Sequence, residues 1–388
     1  MSPHDECKRL SRRRFLGNAA AAGAGAALTA GTASAQDEKK TRVVYRRLGR
    51  TEFMTSHVVA AWDWNEWLYQ EAVDAGINYW HKIGGWPGLP DALKNIDRET
   101  WYCDVVIDSF EEDGAYAQFE WARKNLGLDY IDSFKLHSIY KTPEDVTAKT
   151  GMLKAFDRLK AEGKVKHLSA AQHVEPAIVC AAMLETDLFD HLQPATGGLS
   201  PTPEMQDVLK LAKAKDVGII AKKVMGAVNR AKTDAATRAR IEPFLGPDGK
   251  WGAAVIKGVL SFEGVTAVTP RTVNFEQFID NLSTDGIEPT PNEVGAIEVL
   301  REYARLNQCS YCGKCTGACP NGVAIPETLR YETYASVYET PKGARKMYAG
   351  LPAERRANRC GDCGACEAAC PQGMAVREKL RAAHAVLT

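Results

Sequence analysis

The sequence predicts an α/β fold, a (β/α)8 TIM barrel followed by a small, mainly helical domain organised around cysteines. Three observations carry this reading. From Val43 to about Thr284, short apolar runs alternate with helical patterns, the rhythm of a parallel sheet covered on both faces by crossover helices. Eight such runs fit in that stretch, the number that closes a barrel. Finally, the 11 cysteines are unevenly spread, with only Cys7, Cys103 and Cys180 before residue 308; that crowding marks a site.

The candidate strands, in chain order, are 57–61, 78–81, 105–109, 131–137, 165–172, 191–195, 218–225 and 266–271. Their β-branched and apolar content suits burial on both faces. Between them, Leu153, Phe156 and Leu159 repeat on one helical face before Gly163, and Met205, Val208, Leu209 and Ala212 do so before Gly218. Thr142-Pro143-Glu144-Asp145 and Thr202-Pro203-Glu204 read as helix caps with proline at the first helical position. A doubly wound open sheet is the alternative, but no G-x-G-x-x-G follows the first strand, which counts against a dinucleotide-binding fold.

Residues 1–35 lie apart from that fold. Ser11-Arg12-Arg13-Arg14-Phe15-Leu16-Gly17 has the twin-arginine form, an alanine- and glycine-rich stretch follows, and Ala33-Ser34-Ala35 offers a small-residue cleavage site. The apolar run is too short and too weakly hydrophobic for a stable membrane span. The expectation is export in the folded state to the periplasm or another extracytoplasmic space. Lys plus Arg equals Asp plus Glu, 49 each, and no basic run stands out, so a nucleic-acid partner is not expected.

Thr290-Pro291-Asn292-Glu293 is a capping box; it opens a helix through Val294, Ile297, Leu300, Tyr303 and Leu306 that leads into the cysteines. The expected division is a signal peptide at 1–35, the barrel at 36–288 and the cysteine domain at 289–388. Cys309-x2-Cys312-x2-Cys315-x3-Cys319-Pro320 recurs as Cys360-x2-Cys363-x2-Cys366-x3-Cys370-Pro371. A 4Fe–4S cube needs one thiolate per iron. Three closely spaced cysteines can wrap one face, and the fourth, before proline, reaches the other cluster in two-cluster ferredoxins. This assigns Cys309, Cys312, Cys315 and Cys370 to one 4Fe–4S cluster, and Cys360, Cys363, Cys366 and Cys319 to a second. Zinc and disulfides are the alternatives, and neither explains the doubled C-x2-C-x2-C-x3-C-P run. The long connection 321–359 reads as helical, and the domain resembles the helical two-cluster ferredoxin domains of respiratory oxidoreductase subunits. Cys103 and Cys180 read as buried structural thiols.

Tyr45 to Thr51, Asp74-Ala75-Gly76-Ile77-Asn78-Tyr79, Leu128 to Asp132 with Leu136-His137, Leu159 to Val165, and Asn274 through Asn281-Leu282 together resemble the aldo-keto reductases, in the right order. A branch of that family carries a twin-arginine signal and a C-terminal iron–sulfur domain. The resemblance implies carbonyl chemistry in which a tyrosine acid, tuned by a lysine paired to an aspartate, protonates the substrate while a nicotinamide delivers hydride and a histidine orients the substrate. Here the aspartate position is His81, the tyrosine position Trp86 and the lysine position Phe110; only His137 matches. Gln193, Lys223 and Arg271 stand as cofactor contacts, but Ala171-Gln172 and Lys222-Lys223 replace familiar nicotinamide-pocket residues, so bound NAD(P) is disfavoured.

The remaining mouth residues are polar and cationic, with His137, His81 and Lys82 as candidate catalytic groups and Asp108 beside them. A loop, Gly84-Gly85-Trp86-Pro87-Gly88, adjoins them. The expectation is an iron–sulfur oxidoreductase with two 4Fe–4S clusters, a small-molecule substrate and a redox partner protein or small electron carrier. The alternative is a non-catalytic electron carrier with a degenerate barrel.

Overall fold

A computed structural model describes residues 43–60, 66–272, 274–283 and 286–388. The expected signal segment lies outside these residues. The chain begins with an antiparallel hairpin of β1 (Tyr45–Arg47) and β2 (Met54–Ser56). Leu48, at its tip, is fully buried against Val59, Tyr79, Tyr102, Ile220 and Ala267, so the hairpin seals one end of the barrel.

Seven parallel strands follow in sequence order: β3 (Tyr79–Trp80), β4 (Tyr102–Ile107), β5 (Ile131–His137), β6 (Val165–Gln172), β7 (His191–Pro194), β8 (Gly218–Ala221) and β9 (Val265–Val268). Residues 57–60 supply the eighth position. Val58 bridges Val268 of β9, and Ala60 bridges Trp80 of β3, both in parallel. The Val59 amide donates to the Val268 carbonyl at 2.9 Å, and the Ala60 amide to Tyr79 at 2.9 Å. The seven-stranded sheet thus curls back on itself, residues 57–60 bridging its two end strands, β3 and β9. The outer core lies between the strands and the surrounding helices, with Phe119, Phe134, Met152 and Leu159 among its buried members.

Two candidate strands, 131–137 and 165–172, have the expected bounds. The third starts three residues earlier than expected, at Tyr102, because Asp104 does not interrupt it: the carboxylate is accommodated inside the barrel.

The capping box forms at Thr290, whose side chain accepts from the Glu293 amide while Glu293 accepts from the Thr290 amide at 2.7 Å. It opens the linking helix Pro291–Asn307. Glu293 also receives the buried Lys257 at 2.9 Å, tying this helix to the barrel wall. Beyond it, helices Ile325–Ser336, Pro341–Ala349 and Val376–Leu387 pack with two short cysteine-bearing turns around Val323, Leu329, Met374 and Leu380. This unit rests on the strand C-terminal end of the barrel. Gln308 donates to the Lys223 carbonyl at 2.8 Å and accepts from the Ala227 amide at 2.6 Å, Gln372 reaches Ser200 at 3.0 Å, and Arg230 pairs with Glu332. Among the described residues, no helix is long and apolar enough to cross a membrane.

Candidate functional site

Strand residues alternate faces, and in this barrel the inward face is largely polar. Along β5, Ser133 meets the Ser169 hydroxyl at 2.6 Å, Lys135 meets Asp104, and His137 opens onto the mouth. Below them, Tyr79 stacks on Tyr102 with centroids 4.8 Å apart, and His167 and His191 pack against Tyr102.

Asp104 is the hub of this interior. Its carboxylate accepts from Lys135, from the Tyr79 hydroxyl at 2.9 Å, from Gln193 Nε2 at 3.1 Å and from the Lys82 amide at 2.7 Å, and lies 3.0 Å from His81 Nδ1. Complete burial works against the charge, but Lys135 and His81 outweigh it and hold the carboxyl well below its usual range. Lys135 is itself brought down to about 8 by burial, with Asp104 opposing. Burial together with Lys135 and Lys222 keeps His81 well below an ordinary histidine, so its imidazole is neutral. Burial and Asp104 push the Tyr79 phenol well up, which makes it a poor acid.

Tyrosine, aspartate, lysine and histidine are therefore all gathered here, with the aspartate on β4 and the lysine on β5. The residues expected to mark the acid and lysine positions point elsewhere. Trp86 is buried in the outer core against Tyr69 and Trp80, and Phe110 is 40% exposed, under Lys149. Asp108 is also exposed and bonds Gln118 away from the mouth. Gln193 lies beneath the mouth in the Asp104 network.

Above the network is a cavity of about 450 Å³. His81, Lys82 and His137 line it, as do Lys223 and Arg271. Lys222 lies 2.6 Å from His81 Nε2; burial, then Lys135, pull its ammonium well below the ordinary lysine value. Lys82 and Lys223, which directly follow His81 and Lys222, take left-handed backbone angles, φ 64 and 62, an uncommon state for such residues and one that collects at functional sites.

The far wall comes from the cysteine-bearing unit. Arg330, Tyr331, Tyr334 and Tyr338 face the cavity from the helix Ile325–Ser336 and the turn after it. Lys223 Nζ sits 4.2 Å from the Tyr334 ring centroid and 5.1 Å from Tyr338. Burial pushes the Tyr334 phenol up, yet Lys223 and Arg330 prevail and leave it below its ordinary value. These residues escaped sequence reasoning because their sequence pattern is only that of a helix. Asp104 and Lys135 did leave a signal: Asp104 is the lone charge in its strand, and Lys135 shares its strand with Asp132.

The eight C-terminal cysteines divide into two rings. One cavity is edged by Cys309, Cys312, Cys315 and Cys370, the other by Cys360, Cys363, Cys366 and Cys319, so the fourth cysteine of each motif crosses to the other ring. The two loops share a backbone plan. Tyr311 and Gly313 flank Cys312 at φ 59 and 80, and Asp362 and Gly364 flank Cys363 at φ 55 and 79. Left-handed residues curl each loop so that its cysteines edge the cavity. The Tyr311 amide already donates to Cys309 Sγ at 3.3 Å.

Among the described residues, no three His, Cys, Asp or Glu gather closely enough for a single metal ion, and all ten described cysteines are free. Rings of four thiols around a cavity fit an iron–sulfur cube rather than one zinc or a disulfide. Cys103 and Cys180 are buried elsewhere, and burial raises both thiols, Cys180 to about 12, which fits inert structural thiols.

Comparison with known proteins agrees with both halves. The model of the aldo/keto reductase family matches residues 104–311, and that of a 4Fe–4S dicluster domain matches residues 308–375. Among solved structures, the holo and apo forms of aldo-keto reductase AKR11C1 from Bacillus halodurans each superpose with a TM-score of 0.52 at 16% identity, covering 66% of this chain and 96% of that one. Identity at this level speaks for the fold alone. No curated protein matches the sequence.

Proposed function

We propose, for a chain that belongs to the aldo/keto reductase family and ends in a 4Fe–4S dicluster domain, that it is an exported iron–sulfur oxidoreductase. Its substrate would sit in the mouth cavity, and two 4Fe–4S clusters would be held by the crossed cysteine sets. One observation carries this reading. The helix Ile325–Ser336 borders both sites, with Leu329 on the first cysteine ring and Arg330 on the mouth cavity. The two therefore lie about one helix diameter apart, roughly 10 Å.

When bound, such clusters give and take single electrons. The chain's own residues do the rest. Cationic side chains hold the substrate, Tyr331, Tyr334 and Tyr338 limit water, and His137, His81 and Lys82 are the candidate proton carriers. His137 is kept neutral by burial and by Lys222 and Lys82, which leaves it a weak base until an anion bound among those lysines offsets their charge. A nicotinamide finds less support: Gln193 is engaged with Asp104 and Tyr79, and Lys223 with two tyrosines.

A mouth plugged by the Trp86 loop would have favoured a non-catalytic carrier; Trp86 instead packs outside an open cavity. The test is anaerobic reoxidation of the dithionite-reduced protein by carbonyl and oxyanion compounds, followed near 400 nm. Colour returning with one compound class in wild type, and failing to return in His137→Ala with iron retained, supports the enzyme. Equal reoxidation in both sinks it. Export is tested by changing Arg12 and Arg13 together to lysine, which should strand the precursor in the cytoplasm; undiminished export would contradict the signal reading.

A further inference from the structure

Resting on that reading of the mouth as the substrate site, we propose that its ligand is a compact multi-anion, bearing at least two carboxylate or phosphate groups. Such a ligand would bridge the barrel to the cluster-bearing helix through Arg330. Four observations carry this. Six basic side chains line the cavity, and no Asp or Glu does among the described residues. Four of these cations have neutral partners in the cavity wall. Lys222 meets His81 at 2.6 Å, Lys141 donates to the Ser138 carbonyl at 2.6 Å, Arg330 donates to the His173 carbonyl at 3.1 Å, and Lys223 stands over tyrosine rings.

Their mutual repulsion is visible in the groups between them. After burial, Lys223, then His137, Lys222 and Arg330 hold His173 well below an ordinary histidine. Glu327 acts on Lys141 and Arg330, Asp145 on Lys141 and Asp104 on Lys222, all from outside the lining; the lining itself stays cationic, and a part-buried pocket of one sign calls for an anionic occupant. His173 also carries a buried Nδ1 with no hydrogen-bond partner, on a residue only 7% exposed that lines the cavity. An orphaned ring nitrogen of this kind fits a site whose polar partner arrives with the ligand.

The charges are also divided between the two units. Lys141, Lys222 and Lys223 belong to the barrel, and Arg330 to the helix that borders the cysteine ring. An anion with one charged group would engage one side. Two groups can engage both, with a planar guanidinium able to take one of them bidentately. The volume of about 450 Å³ admits a small di- or tricarboxylate, or pyrophosphate, with room to spare.

The test is calorimetry on the iron-replete full chain with acetate, succinate and tricarballylate, and separately with inorganic phosphate and pyrophosphate. The expected result is a graded series: no measurable binding of acetate at millimolar concentration, and at least tenfold tighter binding for each added charged group. The two ligand sets tell whether carboxylate or phosphate is preferred. Arg330→Gln and Lys223→Gln should each weaken the tightest ligand tenfold or more with iron content unchanged, whereas Lys210→Gln, on an exposed helix face, should leave binding as in wild type. A flat series, no binding by any member, or wild-type affinity in Arg330→Gln overturns the inference. If the iron-replete protein gives a flat series, the inference fails while the oxidoreductase reading stands. Zinc in place of iron with a graded series fails that reading and leaves the inference standing.

Discussion

The barrel and the cysteine-bearing unit solve the same problem, a polar interior, in opposite ways. The barrel satisfies its buried carboxylate internally: Asp104 has Lys135, His81, Tyr79, Gln193 and a backbone amide as partners, inside a broad apolar shell. The cysteine unit has a smaller core whose members include Cys315 and Cys366 themselves, and its thiols face cavities rather than one another. The difference teaches where folding needs help. The barrel can be complete on its own, whereas the cysteine unit is complete only with what its rings hold, so cofactor binding there is also folding.

The largest expected effect follows from this. Removing iron with a chelator under denaturant-free conditions should abolish amide protection across 309–387 while β5 and β6 stay protected, as read by hydrogen exchange. Unchanged protection in the cysteine unit would erase the contrast. Next is the barrel's own pair. Asp104→Ala leaves Lys135 buried without its carboxylate and should cost about 3–5 kcal/mol. The double variant Asp104→Leu with Lys135→Met should cost less than the single, and a larger loss in the double would show that the pair is not the unit of stability.

Acid should strike the barrel. His57 is held down to about 4 by burial and His191 to about 3, both below the roughly 6.5 of an unfolded histidine. Between those values the unfolded chain binds the proton and the folded chain does not. Stability is therefore intact above about pH 6.5 and falls as pH drops towards 4, by on the order of 3 kcal/mol for His57 alone. His57→Gln should flatten that limb of the denaturation midpoint against pH; an unchanged slope would assign the acid sensitivity elsewhere.

The smallest effect lies at the seam. Gly313 sits at φ +80, and a Cβ there would meet the Glu175 carboxylate at 2.4 Å. Its counterpart Gly364, at φ +79, has nothing closer than the Arg377 guanidinium at 3.8 Å. Both alanine variants should lose about 1–2 kcal/mol to the left-handed backbone, with Gly313→Ala the worse because Glu175 must also move. Equal losses would mean that the seam has slack.

These regions also differed in how much the sequence disclosed. The doubled cysteine spacing stated the ring membership, including the exchange of Cys319 and Cys370, because ligation chemistry constrains spacing tightly. Strand positions were legible from apolar runs, but the interior network was not. Asp104 or Lys135 reads as an interruption until both strands lie side by side, and the partner that makes it tolerable is 31 residues away in the chain. His81, Lys82 and His137 were placed at the mouth by strand ends alone. Arg330 and Tyr334 could not be, since nothing local to a helix tells which domain it will cover.

The central claim is that the crossed cysteine rings hold two 4Fe–4S clusters beside a substrate cavity. Its most direct test is metal and acid-labile sulfide analysis of the anaerobically purified chain, alongside Cys370→Ser. The account predicts about eight iron and eight sulfide per wild-type chain. In the variant, the cluster of Cys309, Cys312 and Cys315 should be lost or degraded while that of Cys360, Cys363 and Cys366 stays. Stoichiometric zinc without sulfide, or loss of the cluster at Cys360, Cys363 and Cys366 in place of the other, would contradict it.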